Sequence, residues 1–381
     1  MLNFKLISLI PFLKGVGKGH DFVYNRSVMR AAAINGWGYA AAIPVSIAAD
    51  KVPEEWEKVL PSHILLYKKG LIFRLIRLIH NCIALRRFIH KKISSDRNVI
   101  FIESFDPSFL FALVVALSLL HKKHLEVWLL YRSEKSCKGF KGVLYKRLTL
   151  LIHFLVGRKR LKILADSKPL VAWFSSFFRQ KVYLVPIPHT NLSSRVSAAR
   201  KRDQIICWVP GRQNQKAYNR LVISHLSKQR HSGRIPLLFV IGERWKLQSI
   251  EGGVNVRLIP NVLSADEYQY WIQASNIVLL PYDPALYTRS TSGVFVECIC
   301  AGGIPIVTRG TWMASELSRF GLEELSVDWT SPGLLAKIET IAGSLPISKK
   351  LTIMRRTYLA FHNEDNFSRY LRGIANLPKT G

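Results

Sequence analysis

Tyr287-Thr-Arg-Ser-Thr-Ser-Gly-Val-Phe-Val-Glu297-Cys-Ile-Cys-Ala-Gly-Gly-Ile-Pro-Ile-Val307 is the stretch on which the fold turns. The apolar run Ile277 to Leu280 before it reads as a strand, Thr288 to Ser292 as a hydroxyl-rich loop, and Ser292-Gly293 as the opening of a helix. Gly302-Gly303 stops that helix, and Ile304 to Val307 starts another strand. The helix opens with a bare N-terminus: N–H groups at Ser292, Gly293 and Val294, with the positive end of the helix dipole, favour a phosphate, and Gly293 permits close approach. Glu297, four residues after Gly293, falls on the same face about one turn, or roughly 6 Å, further along. A diphosphate at the helix start would put its ribose hydroxyls beside that carboxylate. The plain alternative is an amphipathic helix whose glutamate faces solvent.

Outward from this unit, short apolar runs alternate with longer helical stretches almost from end to end, the pattern of parallel sheets with crossover helices. Strands are predicted at Phe4 to Ile10, Tyr39 to Pro44, Val99 to Glu103, Leu125 to Tyr131, Lys162 to Ala165 and Lys181 to Val185. A second series runs Gln204 to Val209, Pro236 to Ile241, Val254 to Leu258, Ile277 to Leu280 and Ile304 to Val307. Between the series lie Pro186-Ile-Pro188 and a polar, basic stretch without hydrophobic period. The expected organisation is two facing Rossmann-like α/β domains with a cleft between them. Residues 1–190 form the first domain, 191–203 the linker, 204–349 the second domain, and 350–381 a terminal helix crossing back to the first. Ligands of open α/β sheets bind at the carboxyl ends of the strands.

The strand Gln204 to Val209 runs into Pro210-Gly211-Arg212, with Lys216 four residues on. Arginine offers a fork to phosphate oxygens and lysine a point charge, and a departing nucleoside diphosphate needs its negative charge stabilised. A solvated basic loop is the ordinary reading of the same residues.

The 381 residues are 49% hydrophobic and 21% charged, as in a folded globular chain rather than a disordered one. The charge is lopsided: 55 Lys and Arg against 25 Asp and Glu, a net +30, of which residues 1–190 carry +20. An anionic partner is implied. Five scattered cysteines without a CxxC pair point to reduced, intracellular thiols, not to a zinc or disulfide framework. The start MLNFKLISLIPFLKG lacks a signal-peptide cleavage site, and the apolar run Phe109 to Leu120 is too short to span a bilayer. Leu71 to Lys92 puts Arg74, Arg77, His80, Arg87, Lys91 and Lys92 on one broad helical face, with Leu75, Ile76, Ile79, Ile83 and Leu85 largely opposite. Such a helix suits an anionic membrane interface, or else packs its apolar side on the sheet. Lys135 to Lys146 and Arg158 to Lys162 extend the positive surface. No zinc finger, RNP-type aromatic motif or KH-type loop supports nucleic acid as the partner.

The order Gly-Arg…Lys, then Leu237 to Glu243, Val256 to Glu267, Ala274 to Pro281 and the Glu297 helix, resembles the nucleotide-sugar domain of GT-B glycosyltransferases, particularly the retaining family 4 group. The resemblance implies that Arg212 and Lys216 hold the donor diphosphate, that Glu297 is the ribose ligand and second Glu of a Glu-x7-Glu motif, and that Asn261 and Val262 lie beside the base. Ser292, Gly293 and Val294 would meet the phosphates. In the first half, Ile10 to His20 looks like the family's glycine-bearing loop, with Gly17 approaching the donor, and Phe101-Ile-Glu-Ser-Phe-Asp106 like its short strand ending in acidic or His residues. Asp106 is thereby a catalytic candidate alongside Arg212, Lys216, Glu297 and Arg289.

Two departures stand out. Arg289 occupies the position of the first Glu of the motif, reversing the charge expected beside the donor sugar; Tyr131-Arg132 stands where many relatives carry a histidine. The expected function is transfer of a sugar from a nucleoside diphosphate sugar to a glycan or lipid-linked acceptor. By family resemblance it is retaining, with the leaving diphosphate taking the acceptor proton, and uses no metal and no other cofactor. The expected place is cytoplasmic, on the inner face of the membrane, against anionic lipid. A catalytically silent sugar-nucleotide or glycan-binding protein is the alternative that Arg289 keeps open, and a nucleic-acid-binding protein the one that charge alone supports.

Overall fold

The computed structural model describes residues 4–13, 15, 20–48, 52–61, 71–93, 96–120, 125–134, 137–157, 159–190, 203–210, 224–225, 235–243 and 254–376. The chain divides into two units, Met1–His189 with Glu364–Gly381, and Thr190–Asn363.

The first unit holds β1 (Phe4–Leu9), β2 (Gly38–Pro44), β3 (Trp56–Leu60), β4 (Arg97–Ile102), β5 (Leu125–Leu130), β6 (Leu161–Ala165) and β7 (Val182–Leu184). They form one seven-stranded sheet in the order β3-β2-β1-β4-β5-β6-β7, every pair parallel. Central strands such as Leu-Glu-Val-Trp-Leu-Leu of β5 are buried throughout because helices cover both faces of the sheet. One face carries α2 (Leu71–Lys92), α3 (Pro107–Ser118), α4 (Gly139–Val156) and α5 (Lys168–Phe178), which share a core with Ile100, Val127 and Ile163. The other face carries α1 (His20–Ile34), whose Tyr24, Val28, Ala31 and Ala32 pack on Val99, Trp128 and Leu164. α3 begins where it does because the Asp106 carboxylate caps the Phe109 N–H at 2.7 Å and Pro107 follows. Ser167 caps α5 in the same way.

In the second unit β8 (Ile205–Val209), β9 (Leu237–Gly242), β10 (Asn255–Ile259), β11 (Ile277–Leu280), β12 (Ile304–Thr308) and β13 (Ser326–Val327) make a six-stranded parallel sheet in the order β10-β9-β8-β11-β12-β13. The described helices are α6 (Ala265–Ala274), α7 (Pro284–Tyr287), α8 (Gly293–Cys300), α9 (Trp312–Ser318), α10 (Leu334–Gly343) and α11 (Leu345–Phe361). In both sheets the strand order reverses once, between β1 and β4 and between β8 and β11, which opens a crevice at those carboxyl ends.

The segment 350–381, expected as one returning helix, is divided. α11 stays in the second unit, where Arg355 Nε donates to the Cys300 carbonyl at 2.9 Å and the Tyr358 hydroxyl to Glu316 Oε2 at 2.8 Å. Only α12 (Glu364–Ile374) belongs to the first unit, where Glu364 accepts from Ser27 at 2.7 Å and the Ser368 carbonyl from Asn35 at 3.0 Å. The second domain therefore extends to Asn363, because Ile347, Met354 and Tyr358 of α11 are buried there. Among the described residues no helix is long and apolar enough to cross a membrane.

Candidate functional site

In the second unit the site is built at the crevice between β8 and β11. Ser292 is the N-cap of α8 and its side chain accepts from the Phe295 N–H at 3.2 Å, while its carbonyl takes the first helical bond from Val296. The helix start is therefore capped, not bare. Ser292 contributes a cap and not a free helical donor, and within the helix Gly293 and Val294 have no acceptor four residues back. Gly302, at φ 76°, closes the other end in the left-handed conformation that glycine adopts without a Cβ penalty.

Glu297 is buried, and its Oε2 accepts from the hydroxyl of Tyr268 on α6. Tyr268 packs edge-on to Trp208 of β8 at 5.4 Å between ring centroids. Burial, and then the charge of Glu297, push the Tyr268 phenol well above its ordinary pKa, so it stays a donor. Tyr268 thus positions the carboxylate. Sequence reading passed over it, although α6 announces its register through the Ser264 and Glu267 capping box, which fixes where residue 268 lies. Asn261 and Val262 follow β10 and are exposed, Val262 at 60%. Arg289 lies half-buried between α7 and α8, and Ser290 beside it is buried. Arg212, Lys216 and Gly17 fall outside the described residues.

The first unit gathers charged groups that the sequence places far apart. His20 opens α1, Glu103 follows β4, Arg132 follows β5 and Asp166 follows β6, all at the carboxyl edge of the sheet. Arg132 Nη1 meets Glu103 Oε1 at 2.9 Å and its Nε meets Asp166 Oδ2 at 2.9 Å. His20 Nε2 lies 2.7 Å from the same Glu103 oxygen, and Asn25 donates to Glu103 Oε2 at 3.0 Å. The guanidinium also covers the Tyr24 ring at 5.4 Å. Glu103 and Asp166 are buried, whereas the His20 side chain is 28% exposed and forms the open side of the cluster. The sequence signal is a charged residue just past each of three apolar strands. Asp106 is engaged elsewhere, as the α3 cap and 3.7 Å from Arg77; the acid the fold brings into the cluster is Glu103. Among the described residues, no three His, Cys, Asp or Glu side chains are grouped to hold a metal ion.

Burial pushes the Glu103 carboxyl up to about 7, with Arg132 and Asn25 opposing. The folded state then holds this proton more tightly than the unfolded chain, whose glutamates titrate near 4.5. Its contribution to stability is full below that value and is lost as pH rises to about 7, of the order of 3 kcal/mol in all. Urea melts of the native chain and of Glu103→Gln across this range should converge toward acid and separate toward neutral pH, the native chain falling relative to the variant. Parallel curves would show Glu103 to be ionised throughout.

Two parallel-sheet units flanked by helices are the GT-B glycosyltransferase fold. No family model and no curated protein matches the chain. Solved structures do: it is similar over 98% of its length to a trehalose-6-phosphate structure from E. coli bound with UDP-2-fluoro glucose, at 10% identity, TM-score 0.66 and 99% coverage of that chain. WaaG, a glycosyltransferase involved in lipopolysaccharide biosynthesis, is 15% identical with TM-score 0.55 over 99% of this chain and 100% of its own. The glycosyltransferase SnogD from Streptomyces nogalater is 12% identical with TM-score 0.53 over 98% and 99%. At such identities the likeness is one of fold.

Proposed function

We infer that the chain is a glycosyltransferase that moves a sugar from a nucleoside diphosphate sugar, held by the second unit, to a glycan or lipid-linked acceptor. The observation that carries this reading is the pairing of the α8 start with Glu297, one turn further on, buried and braced by Tyr268. The Gly293 and Val294 N–H groups face phosphate oxygens, Glu297 accepts from the ribose hydroxyls, and Val262 offers apolar surface to the base. Arg212 and Lys216 neutralise the departing diphosphate, with Arg289 adding a third cation where relatives of family 4 carry a glutamate. Transfer is retaining: the bond from the anomeric carbon to the diphosphate breaks, the acceptor oxygen bonds to that carbon on the same face, and the acceptor proton passes to the diphosphate. No metal or further cofactor enters this scheme. The acceptor meets the basic first unit at the inner face of the cytoplasmic membrane, against anionic lipid.

A second reading is favoured by the first-unit cluster. His20, the exposed member of that cluster, lies 2.7 Å from the Glu103 carboxyl and in contact with Arg132 Nη1, and its imidazole is a general-base candidate open to solvent. In that case His20 takes the acceptor proton and the anomeric configuration inverts. Incubating the chain with nucleoside diphosphate sugars and following nucleoside diphosphate release tests the activity itself. Nuclear magnetic resonance of the product's anomeric proton decides the rest: a retained configuration supports the diphosphate as proton acceptor, an inverted one assigns the proton to His20. Absence of turnover with every common donor, in the presence of membrane extract as acceptor, would sink the enzyme reading.

A further inference from the structure

Of the apolar stripe that its sequence sets opposite its cations, α2 packs only Leu85 into the core. The core side of the helix is Leu78, Cys82, Leu85, Phe88 and Ile89. Ile72, Leu75, Ile76, Ile79 and Ile83 form a second stripe at spacings of three and four residues, and all five are exposed, Ile72 at 73%. Exposed Arg86 and Arg87 flank that stripe. α4 repeats the arrangement. Phe140 is 77% exposed and Phe154 84%, with Val143, Leu150 and Leu151 between them on the same outer side and Lys141 and Arg147 alongside. α2 packs on α3 and α3 on α4, so the two stripes belong to one layer on one face of the first sheet. From α2 through α5 these helices contain no aspartate or glutamate at all.

Aliphatic and phenyl groups fringed by arginine and lysine, on helices that carry no acid of their own, match a bilayer whose headgroups are anionic: the rings enter the acyl boundary and the cations reach phosphates. A second copy of the same face would set two net-cationic surfaces against each other, and the grooves of a nucleic acid give protruding isoleucines no apolar partner. We propose that the outer face of α2, α3 and α4 docks the protein onto an anionic membrane by insertion of Ile72, Leu75, Ile79, Phe140 and Phe154. This rests on the reading of a membrane-held acceptor and specifies the surface that meets it. Binding has two parts, one apolar and resistant to salt, one electrostatic and weakened by it.

Co-sedimentation of the full chain with vesicles of phosphatidylcholine alone, and of phosphatidylcholine mixed with phosphatidylglycerol, separates them. The native chain is expected to bind the mixed vesicles about tenfold or more tightly than the neutral ones. Arg86→Glu with Arg87→Glu should abolish that preference. Ile72→Ser with Leu75→Ser and Ile79→Ser, or Phe140→Ser with Phe154→Ser, should weaken binding to both vesicle types by about tenfold or more. These side chains are exposed, so the melting temperature should hold, as should its rise on adding UDP or GDP. Vesicle binding that survives all three sets overturns the proposal. So does sedimentation of the native chain as a dimer that the serine variants dissolve, which would assign the face to self-association. A missing nucleotide effect beside intact, variant-sensitive vesicle binding would instead remove the donor site and leave the membrane face standing.

Discussion

Arg132→Leu is expected to cost about 3–5 kcal/mol of folding free energy, a large share of the roughly 5–15 kcal/mol available to a typical domain. The guanidinium is the only cation the described residues place against both Glu103 and Asp166, whose carboxylates are buried. Removing it leaves two buried acids facing each other beneath His20, with the leucine unable to donate to either. Urea unfolding at pH 8, above the titration of Glu103, reads the loss. Glu103→Gln placed in the Arg132→Leu background should return part of it, because the amide cannot ionise beside Asp166 as pH rises past about 7. A loss below about 1 kcal/mol, as for an exposed pair, would mean that the acids are already neutral or hydrated.

Glu297→Ala should lower kcat/KM for sugar transfer by about 100-fold, corresponding to roughly 3 kcal/mol of charge-assisted hydrogen bonding to two ribose hydroxyls. The same change strands the Tyr268 hydroxyl, which burial keeps protonated, and so also costs about 1–3 kcal/mol of stability. Tyr268→Phe separates the effects. It preserves the carboxylate and removes only its brace, so the kinetic loss should be about tenfold or less and fall mainly on KM. Equal losses in the two variants would make Tyr268 a ligand rather than a positioning residue. No kinetic loss in Glu297→Ala would take the ribose away from this helix.

The predicted strands lie within a residue or two of β1, β2, β4 to β12, since each is an apolar run bounded by breakers. β3 escaped because Trp-Glu-Lys-Val-Leu carries two charges in its middle; Glu57 there pairs with Lys91 at 3.2 Å and also with Lys92 on α2. β13 is two residues long, below any periodicity. The division of the last segment was missed because Ser344-Leu-Pro346 restarts a helix that continues in pattern, while the break at His362-Asn363 has no glycine or proline to mark it. The placement of Glu297 one turn into α8 was legible from its distance to Gly293, but its partner was not, because Tyr268 reaches it from another helix. The first-unit cluster shows the same limit: Glu103, Arg132 and Asp166 were visible singly, and only the β4-β5-β6 adjacency brings them within hydrogen-bond distance. The outward apolar stripe of α2 has helical period on both sides, so period alone could not say which side the sheet would cover.

Whether the second unit holds a nucleoside diphosphate is read most directly from thermal unfolding of the native chain and Glu297→Ala with UDP and GDP in turn, at millimolar concentration. Near 100 times its dissociation constant a nucleotide adds about 2.7 kcal/mol to the unfolding free energy, which raises Tm by about 5–10 °C for a unit of this size. A rise of that order with one of the two nucleotides, largely absent in Glu297→Ala, is the predicted result. An unchanged Tm with both, or an equal rise in the variant, would contradict a donor site at the start of α8.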